Sequence, residues 1–373
     1  EDHPFLTKNN WVDTRSIKVG DYVAVHPSLD SIEQPNLPTE DLGFIIVDEK
    51  VIVKSNPNRF KHYIKELKTR ELLPLTINNY KIEIIARMLG HIFSDGHCGK
   101  YNLEFYCGTL EDAKQISKEI TLLGFESSKI SEKHTKIKTV NKIVNYKVFT
   151  LSKGGALHSL LINAGAPIGR KTDSVIEIPK WIFKSSLSVK REFLAALMGG
   201  DGPKPRVQIR KNRKSRSKVQ IEDIVFHKKV EMKSNLLKFS NDIRKLFNEF
   251  GIKIKRIDIK EDYTRKDGVV MLESKIVFGK SLANIKRLLT KIGYRYCIDK
   301  ENESNYIGEW LRLRDFALNK KIDSKNKVKE LYNKGITPKA ISSLLKINYR
   351  VINGWLFESY KYEKIRLSQN MLS

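Results

Sequence analysis

The amino-acid sequence predicts an α+β protein built on an internal repeat, and three observations predict it. Two apolar runs, MLGHIFSDG at 88–96 and LAALMGGDG at 194–202, each end in Asp-Gly. The segments after them alternate between helical and strand-like patterns in the same order, which is typical of a duplication. Strand-like, proline-bearing segments come first, and basic helical segments come last. We therefore expect a small β-rich module at 1–78, a tandem repeat at 79–305 and an all-α module at 306–373.

The charge of the chain favours nucleic acid as its partner. The sequence has 373 residues, of which 40% are hydrophobic, and a formal net charge of +26. Such an excess attracts phosphate backbones or anionic membranes, but a membrane-surface protein concentrates its lysines on one amphipathic helix. Here lysine and arginine occur in every segment. No apolar run reaches the roughly 18 residues that span a bilayer, so we expect no membrane partner.

The cysteines favour an intracellular protein, in the cytoplasm or the nucleoid. Cys98, Cys107 and Cys297 are widely spaced and odd in number, which fits neither a disulfide framework nor a zinc site. No signal-peptide pattern opens the sequence. We therefore expect reduced thiols inside the cell.

The segment at 1–78 is expected to contain short strands and turns. Gly20-Asp21 is typical of a turn, and FIIVDEKVIVK at 44–54 predicts a hairpin with Asp48, Glu49 and Lys50 at its tip. The segment resembles block B and the following strands of an intein splicing domain at His3, Pro4, Phe5, Trp11, Val12, Lys18, Gly20 and Asp21. No Cys or Ser nucleophile block precedes it, and the chain ends in QNMLS where inteins have His-Asn before a nucleophile. Because splicing needs both ends, we expect a β module for packing or DNA contact.

The first repeat, at about 79–180, opens with a predicted helix that leads into MLGHIFSDG. Its apolar residues recur at helical spacing, and Asn79 is a predicted N-cap. The strand LEFYC, a helix that ends at Gly124, the strand KIVNYKVFTLS and a short helix that ends at Gly165 follow in order.

The second repeat, at about 181–305, matches this order. VKREFLAALMGGDG predicts the equivalent helix, NLLKFS the equivalent strand, SNDIRKLFNEFGI the next helix and ESKIVF the next strand. The two copies differ mainly by an insertion at 203–229, in which KPRVQIRKNRKSRSK has eight basic residues and no acid. We expect this run to contact nucleic acid, with a solvated insertion as the alternative.

The segment at 306–373 predicts a helix-turn-helix. A helix, a turn at Gly335 and two further short helices are expected, with Thr337 as N-cap and Pro338 at the first helical position. The predicted core residues are Leu331, Ile341, Leu344, Leu345, Val351, Ile352 and Trp355. This spacing is typical of domains whose last helix enters the major groove, although a helical hairpin without that role has the same pattern.

The paired Asp-Gly motifs over about 79–305 resemble those of the LAGLIDADG homing endonucleases. The resemblance implies two αββαββα units whose sheets form a saddle over double-stranded DNA, with the motif helices at the central interface. It implies a monomeric, site-specific endodeoxyribonuclease that makes double-strand breaks in a long, asymmetric target, with Mg²⁺ or Mn²⁺ as its cofactor. On this basis Asp95 and Asp201 are the predicted metal ligands and catalytic acids, while the role of Ser94 is left open.

Elementary chemistry agrees with a metal at the two acids. Two carboxylates brought together repel each other unless a cation lies between them, and a carboxylate at a helix C-terminus is disfavoured by the helix dipole. Mg²⁺ prefers oxygen ligands and activates water or shields a phosphate. Gly96 and Gly202 allow a sharp turn after each acid.

Two lysines are predicted beside the acids. The family motif Gly-x-Lys followed by Ile-Pro-x-Trp stands here as GRKTDSVIEIPKW, which selects Lys171. Gly165 matches Gly293 in the repeats, and Lys300 lies at nearly the same offset from its glycine as Lys171. Their predicted role is to polarise water or to neutralise the phosphate.

The sequence leaves alternatives to an endonuclease open. The same fold serves non-cleaving DNA-binding regulators and RNA maturases, and an active intein would need both missing ends. His91, which replaces an apolar residue of the motif, is expected to be an interface histidine with satisfied hydrogen bonds, with tuning of the metal or water as the alternative. Base-reading candidates on the strands are Glu104, Tyr106, Lys147, Lys238 and Lys275.

Overall fold

The computed structural model describes residues 4–6, 11–17, 29, 43–138, 143–208 and 218–357. The chain divides into two compact units, Glu1–Ile307 and Gly308–Ser373. Among the described helices, none combines the length and apolarity that a bilayer crossing requires.

The first unit begins with two small strand pairs. β1 (Pro4–Leu6) pairs antiparallel with β2 (Trp11–Asp13). β3 (Ile45–Val47), α1 (Glu49–Ser55), α2 (Phe60–Thr69) and β4 (Leu75–Thr76) follow, and β3 pairs with β4. The predicted Gly20-Asp21 turn, with His3 and Lys18, lies outside the described residues.

The predicted hairpin at 44–54 is wrong. Only its first half is a strand, and α1 occupies the second half. The Asp48 side chain caps this helix, because its Oδ1 accepts a hydrogen bond of 2.9 Å from the Val51 amide. Glu49 in the first turn adds a favourable interaction with the helix dipole. The predicted hairpin tip is therefore a helix N-terminus.

The first predicted repeat contains three helices and a four-stranded antiparallel sheet. The elements are α3 (Ile82–Phe93), β5 (His97–Cys98), β6 (Asn102–Cys107), α4 (Leu110–Leu122), β7 (Ser131–Lys138), β8 (Ile143–Gly154) and α5 (Gly155–Asn163). The strand order is β5-β6-β8-β7. The predicted helices and strands of this segment are confirmed. The predicted N-cap Asn79 is wrong, because the N-cap of α3 is Lys81. Asn79 lies two residues earlier, and the Asn79 Oδ1 accepts a hydrogen bond of 2.9 Å from the Lys81 amide.

The second predicted repeat contains a three-stranded antiparallel sheet. The elements are α6 (Lys180–Lys184), α7 (Leu187–Gly200), β9 (Arg206–Gln208), β10 (Lys218–Gln220), β11 (Ile224–Lys229), α8 (Lys233–Glu249), β12 (Ile254–Thr264), β13 (Val270–Phe278) and α9 (Leu282–Arg287). The order of the larger sheet is β11-β13-β12, and β9 pairs with β10. That the two halves form a pseudo-symmetric saddle stays a prediction.

The predicted strand NLLKFS is wrong, because these residues belong to α8. Leu236, Phe239, Ile243 and Leu246 are buried at helical spacing, and this period outweighs the local strand propensity. The strand of the second half is β11, within the segment that was predicted as an insertion. Lys238 therefore lies on a helix and not on a strand.

Close packing joins α3 to α7. A side chain at Gly90 would overlap the Phe193 carbonyl, and its Cβ would lie 3.1 Å from the Ala196 Cβ. The residues around the contact, including Leu89, Phe193 and Ala196, are fully buried. Small residues at this contact therefore bring the two helices together backbone to backbone.

The second unit contains the end of a long helix and two short helices. The long helix is α10 (Ile298–Asn333), which begins before Gly308. The short helices are α11 (Pro338–Leu345) and α12 (Tyr349–Leu356). Thr337 caps α11 and Gly335 lies in a turn, as predicted, with a φ of 84°. The buried core consists of Val328, Ile341, Ile352 and Trp355. The prediction that Leu344 and Val351 fill this core is wrong, because both are exposed.

Candidate metal centre

The two predicted acids lie at the meeting point of two helix ends. Ser94 is the C-cap of α3 and Asp95 follows it, while Asp201 is the C-cap of α7. A Cβ atom built on Gly200 would lie 2.6 Å from the Ser94 Cβ and 3.1 Å from the Asp95 Cγ. The absence of a side chain at Gly200 therefore lets the carboxylate of Asp95 approach the end of α7.

Both carboxylates are held in an environment that disfavours their charge. Burial and, to a smaller extent, the neighbouring Asp95 raise the pKa of Asp201 to about 7, against the opposing effect of Lys171 and Lys300. Burial also raises the pKa of Asp95 against the same two lysines. Asp95 is nevertheless exposed on one side and Asp201 half-buried, so an ion from solvent can reach them. The two lysines therefore do not fully offset the cost of charging the two carboxylates.

The two predicted lysines cap the helix ends that carry the acids. Lys171 Nζ donates to the carbonyls of Ile92 and Gly96 at 2.9 Å each, and also to that of Ser94. Lys300 Nζ donates to the carbonyls of Gly199 and Gly200 at 2.7 and 2.8 Å. Cations at these carbonyls oppose the negative end of each helix dipole.

Lys171 also interacts electrostatically with the two acids. Burial lowers the pKa of Lys171, whereas Asp201 and Asp95 raise it. The structure thus brings all four predicted residues together. Each lysine lies against the backbone of its helix end, and a direct role in chemistry stays a prediction for both.

A further buried lysine supports this centre. Lys228 on β11 is 2% exposed, and its Nζ donates to the Lys171 carbonyl at 3.0 Å and to that of Ser174. Burial lowers its pKa to about 8, against the attraction of Asp173. Lys228 therefore fixes the loop that carries Lys171 from the other half of the unit. Strand alternation in IVFHKK is the sequence signal that places it inward.

A second set of buried charges lies along the same helix pair. Glu192 of α7 is 2% exposed, and its carboxylate accepts from Arg87 of α3 at 2.7 Å and from Arg295 at 3.0 Å. Burial alone would raise its pKa, but Arg295 and Arg87 outweigh burial and lower it. This network was not predicted from the sequence, because its members are far apart along the chain.

His91 is an interface residue, as expected, but the expectation that its hydrogen bonds are satisfied is wrong. It is 2% exposed, stacks on Phe105 at 5.9 Å between ring centroids, and meets Tyr296 edge-on at 5.5 Å. Neither ring nitrogen has a hydrogen-bond partner of normal geometry. Burial, with Lys171 as a second cause, lowers its pKa to about 3. The imidazole is therefore neutral and serves packing.

Comparisons with known proteins give three informative relatives. No family model matches the chain. The chain is 33% identical over 391 aligned positions to tRNA-splicing ligase RtcB of Methanocaldococcus jannaschii, and 30% identical over 379 to the protein of the same name from Pyrococcus furiosus. It is 32% identical over 330 positions to DNA-directed RNA polymerase subunit Rpo1N of M. jannaschii.

These matches cover most of the chain but only part of each relative. They span 99%, 98% and 84% of the chain, against 37%, 36% and 23% of the respective relatives. Among solved structures, full-length DUF199/WhiA from Thermatoga maritima matches 83% of the chain and 95% of its own length, with 14% identity and a TM-score of 0.31.

The comparisons contradict the predicted homing endonuclease. Relatives matched over nearly the full chain are named tRNA-splicing ligase, which overturns the assignment as an intein-derived endodeoxyribonuclease and its double-stranded DNA partner. The alternatives of a DNA-binding regulator and an RNA maturase are not supported either. The physical reason is that lysine and arginine attract the phosphates of RNA and DNA alike. An acid at the end of a small-residue helix likewise does not specify a reaction.

Proposed function

We propose that this chain is a divalent-cation-dependent RNA-binding module of an RNA-processing protein. The observation that carries the proposal is the convergence of Asp95 and Asp201 at two helix ends, in a chain of net charge +26. Two carboxylates with raised pKa values in so basic a chain are unfavourable for binding polyanions, unless a cation lies between them. The printed names of the ligase relatives favour RNA as the polyanion.

The residues present fit Mg²⁺ or Mn²⁺. Both side chains offer hard oxygen ligands, and one face of the pair is open to solvent. Asp95 and Asp201 would hold the ion, which when bound supplies positive charge for a phosphate oxygen. The cation would also remove the repulsion between the two carboxylates.

The chain's own residues position the acids. Lys171 and Lys300 satisfy the last carbonyls of α3 and α7, which keeps the two helix ends from unwinding. Lys228 holds the Lys171 loop in turn. The basic side chains of the unit then bind the RNA backbone around the ion.

The proposal concerns the contribution of this segment and not the ligation reaction of a whole protein. The chain spans about a third of its ligase relatives, and a polymerase subunit of different name matches it as well. A function common to such proteins is one that a module supplies, such as holding RNA. We further propose that the module works inside the cell, in the cytoplasm or the nucleoid.

A binding experiment tests this proposal. Fluorescence anisotropy would follow a labelled structured RNA and a duplex DNA of equal length, at fixed salt, over a Mg²⁺ titration. In the wild type, Mg²⁺ should tighten RNA binding. The variant Asp95→Asn/Asp201→Asn should bind RNA more tightly than the wild type without Mg²⁺, because two negative charges are gone, and should lose the Mg²⁺ effect.

The matched control is Glu49→Gln/Glu330→Gln, which removes the same charge from exposed ion pairs with Lys68 and Lys334. It should keep the Mg²⁺ effect. The proposal is wrong if RNA does not bind, if the Asn variant keeps the Mg²⁺ effect, or if duplex DNA binds more tightly than RNA or is cut.

A further inference from the structure

Three side chains converge on the exposed face of the second sheet, away from Asp95 and Asp201 in sequence. His227 on β11 lies directly opposite Glu273 on β13. The register of β12 against β13 shifts between Glu261 and Tyr263, so Asp262 falls in an irregular position of the strand. Such bulges re-aim a side chain. His227 Nε2 and Asp262 Oδ2 are 3.0 Å apart.

The three ligand atoms are close enough to share one ion. One nitrogen of His227 and one carboxylate oxygen each from Asp262 and Glu273 lie within 4.8 Å of one another. Around a tetrahedral ion with bonds of about 2.0–2.2 Å, ligand atoms are roughly 3.3–3.6 Å apart, so small rotations of partly exposed side chains bring them into range. Within the described ranges, no other group of three His, Cys, Asp or Glu side chains comes so close.

The donor set also identifies the ion. One neutral imidazole and two carboxylates match the ligands that zinc takes in sites with three protein ligands and an open fourth position. A nitrogen ligand disfavours Mg²⁺ and Ca²⁺, which prefer all-oxygen sites. Lys260 lies 3.5 Å from Glu273, but this exposed ion pair is weak and does not prevent binding of a divalent ion.

We propose that His227, Asp262 and Glu273 form a zinc site on the face of the second sheet. The ion bridges all three strands, because one ligand comes from each of β11, β12 and β13. Its fourth position is open to water or to a phosphate oxygen. The site is independent of the Asp95–Asp201 pair and of the function proposed for it.

The first sheet contains a natural comparison. His134 on β7 lies 3.2 Å from Glu132, as His227 lies close to Asp262. The further neighbour there is Lys147, 2.9 Å from Glu132. A cation in place of the second carboxylate disfavours a divalent ion. His134 is therefore the matched control for His227.

Isothermal titration calorimetry with Zn²⁺ on the full chain tests the site. The parent is Asp95→Asn/Asp201→Asn, so that the helix-end pair does not contribute. Adding His227→Ala should remove one Zn²⁺ equivalent, or weaken its binding by at least about tenfold. Adding His134→Ala should leave both stoichiometry and affinity unchanged. Co²⁺ bound to the parent should show visible d–d absorption that the His227→Ala chain lacks.

A second variant keeps the test valid if His227→Ala fails to fold, as judged by circular dichroism. Glu273→Gln preserves shape and removes one ligand charge, and it should also lose the Zn²⁺ equivalent. The zinc site is refuted if the parent binds no Zn²⁺ once its three cysteines are blocked. It is also refuted if a folded His227→Ala or Glu273→Gln chain binds Zn²⁺ with the stoichiometry and affinity of the parent. The cysteine contribution is measured on the parent after thiol blocking.

Discussion

Two sets of acidic side chains lie along the same pair of helices, and their surroundings shift their pKa values in opposite directions. Midway along the pair, Glu192 contacts two arginines and its pKa is lowered. At the C-terminal ends, Asp95 and Asp201 lie close together and their pKa values are raised, although two lysines are nearby. The Nζ groups of those lysines donate their hydrogen bonds to backbone carbonyls and not to the acids. The first set therefore stabilises the fold, whereas the function proposed above assigns the second set to a divalent cation.

The largest effect is expected where the charges are satisfied. Glu192→Gln would leave Arg87 and Arg295 without their shared carboxylate, and breaking a buried ion pair costs about 3–5 kcal/mol. Because both arginines are partly exposed, we expect about 3 kcal/mol in urea unfolding. Glu49→Gln, which breaks an exposed pair with Lys68, should cost less than about 1 kcal/mol. Equal costs for the two variants would contradict a structural role for Glu192.

A smaller effect is expected from the glycines that set the distance between the helices. Gly90→Ala would overlap the backbone carbonyl of Phe193, and Gly200→Ala would overlap the Ser94 Cβ, which is fixed to the backbone of α3. Because neither contact is with the far end of a flexible side chain, we expect each substitution to cost about 2–3 kcal/mol. Gly108→Ala is the control, since nothing lies within 4 Å of its added Cβ. Thermal melts in which either variant is as stable as Gly108→Ala would contradict this geometry.

Local patterns explain which features could be predicted from the sequence. The helix that leads to Asp95, the Thr337 cap and the helix ends at Gly124 and Gly165 depend on residues close together in the chain. Periodicity, cap chemistry and glycine conformation therefore predict them. The four residues of the candidate centre were predicted from the resemblance to the LAGLIDADG family, and the similar offsets of the two lysines in the repeats supported the choice.

The remaining features depend on contacts between distant segments. Lys228 supports Lys171 across 57 positions, and Glu192 meets Arg295 across 103. No local pattern specifies such pairs. Double-stranded DNA was wrongly predicted as the partner for a related reason. Net charge indicates attraction to phosphate, but it does not identify the sugar of a nucleic acid or whether it is single- or double-stranded.

The smallest effect has the opposite sign and separates the two sets of acids most directly. The folded-state pKa of Asp201 is about 7, above the usual 3.8. Its contribution to stability is fully present below about pH 4 and is lost as pH rises through 7. In the presence of a chelator at pH 8, Asp201→Asn should therefore be more stable than the wild type, by about 1–2 kcal/mol after solvent screening.

The measurement is the urea unfolding free energy of both chains from pH 4 to pH 8, with EDTA and again with Mg²⁺. With EDTA, the advantage of Asp201→Asn should grow as pH rises across this window. With Mg²⁺ it should shrink, because only the wild type offers both carboxylates to the ion. Glu192→Gln must show no such gain at pH 8, since its carboxylate is already paired with two arginines. If Asp201→Asn were instead destabilising at pH 8 in EDTA, the two sets of acids would be equivalent, and the carboxylates at the helix ends would be structural.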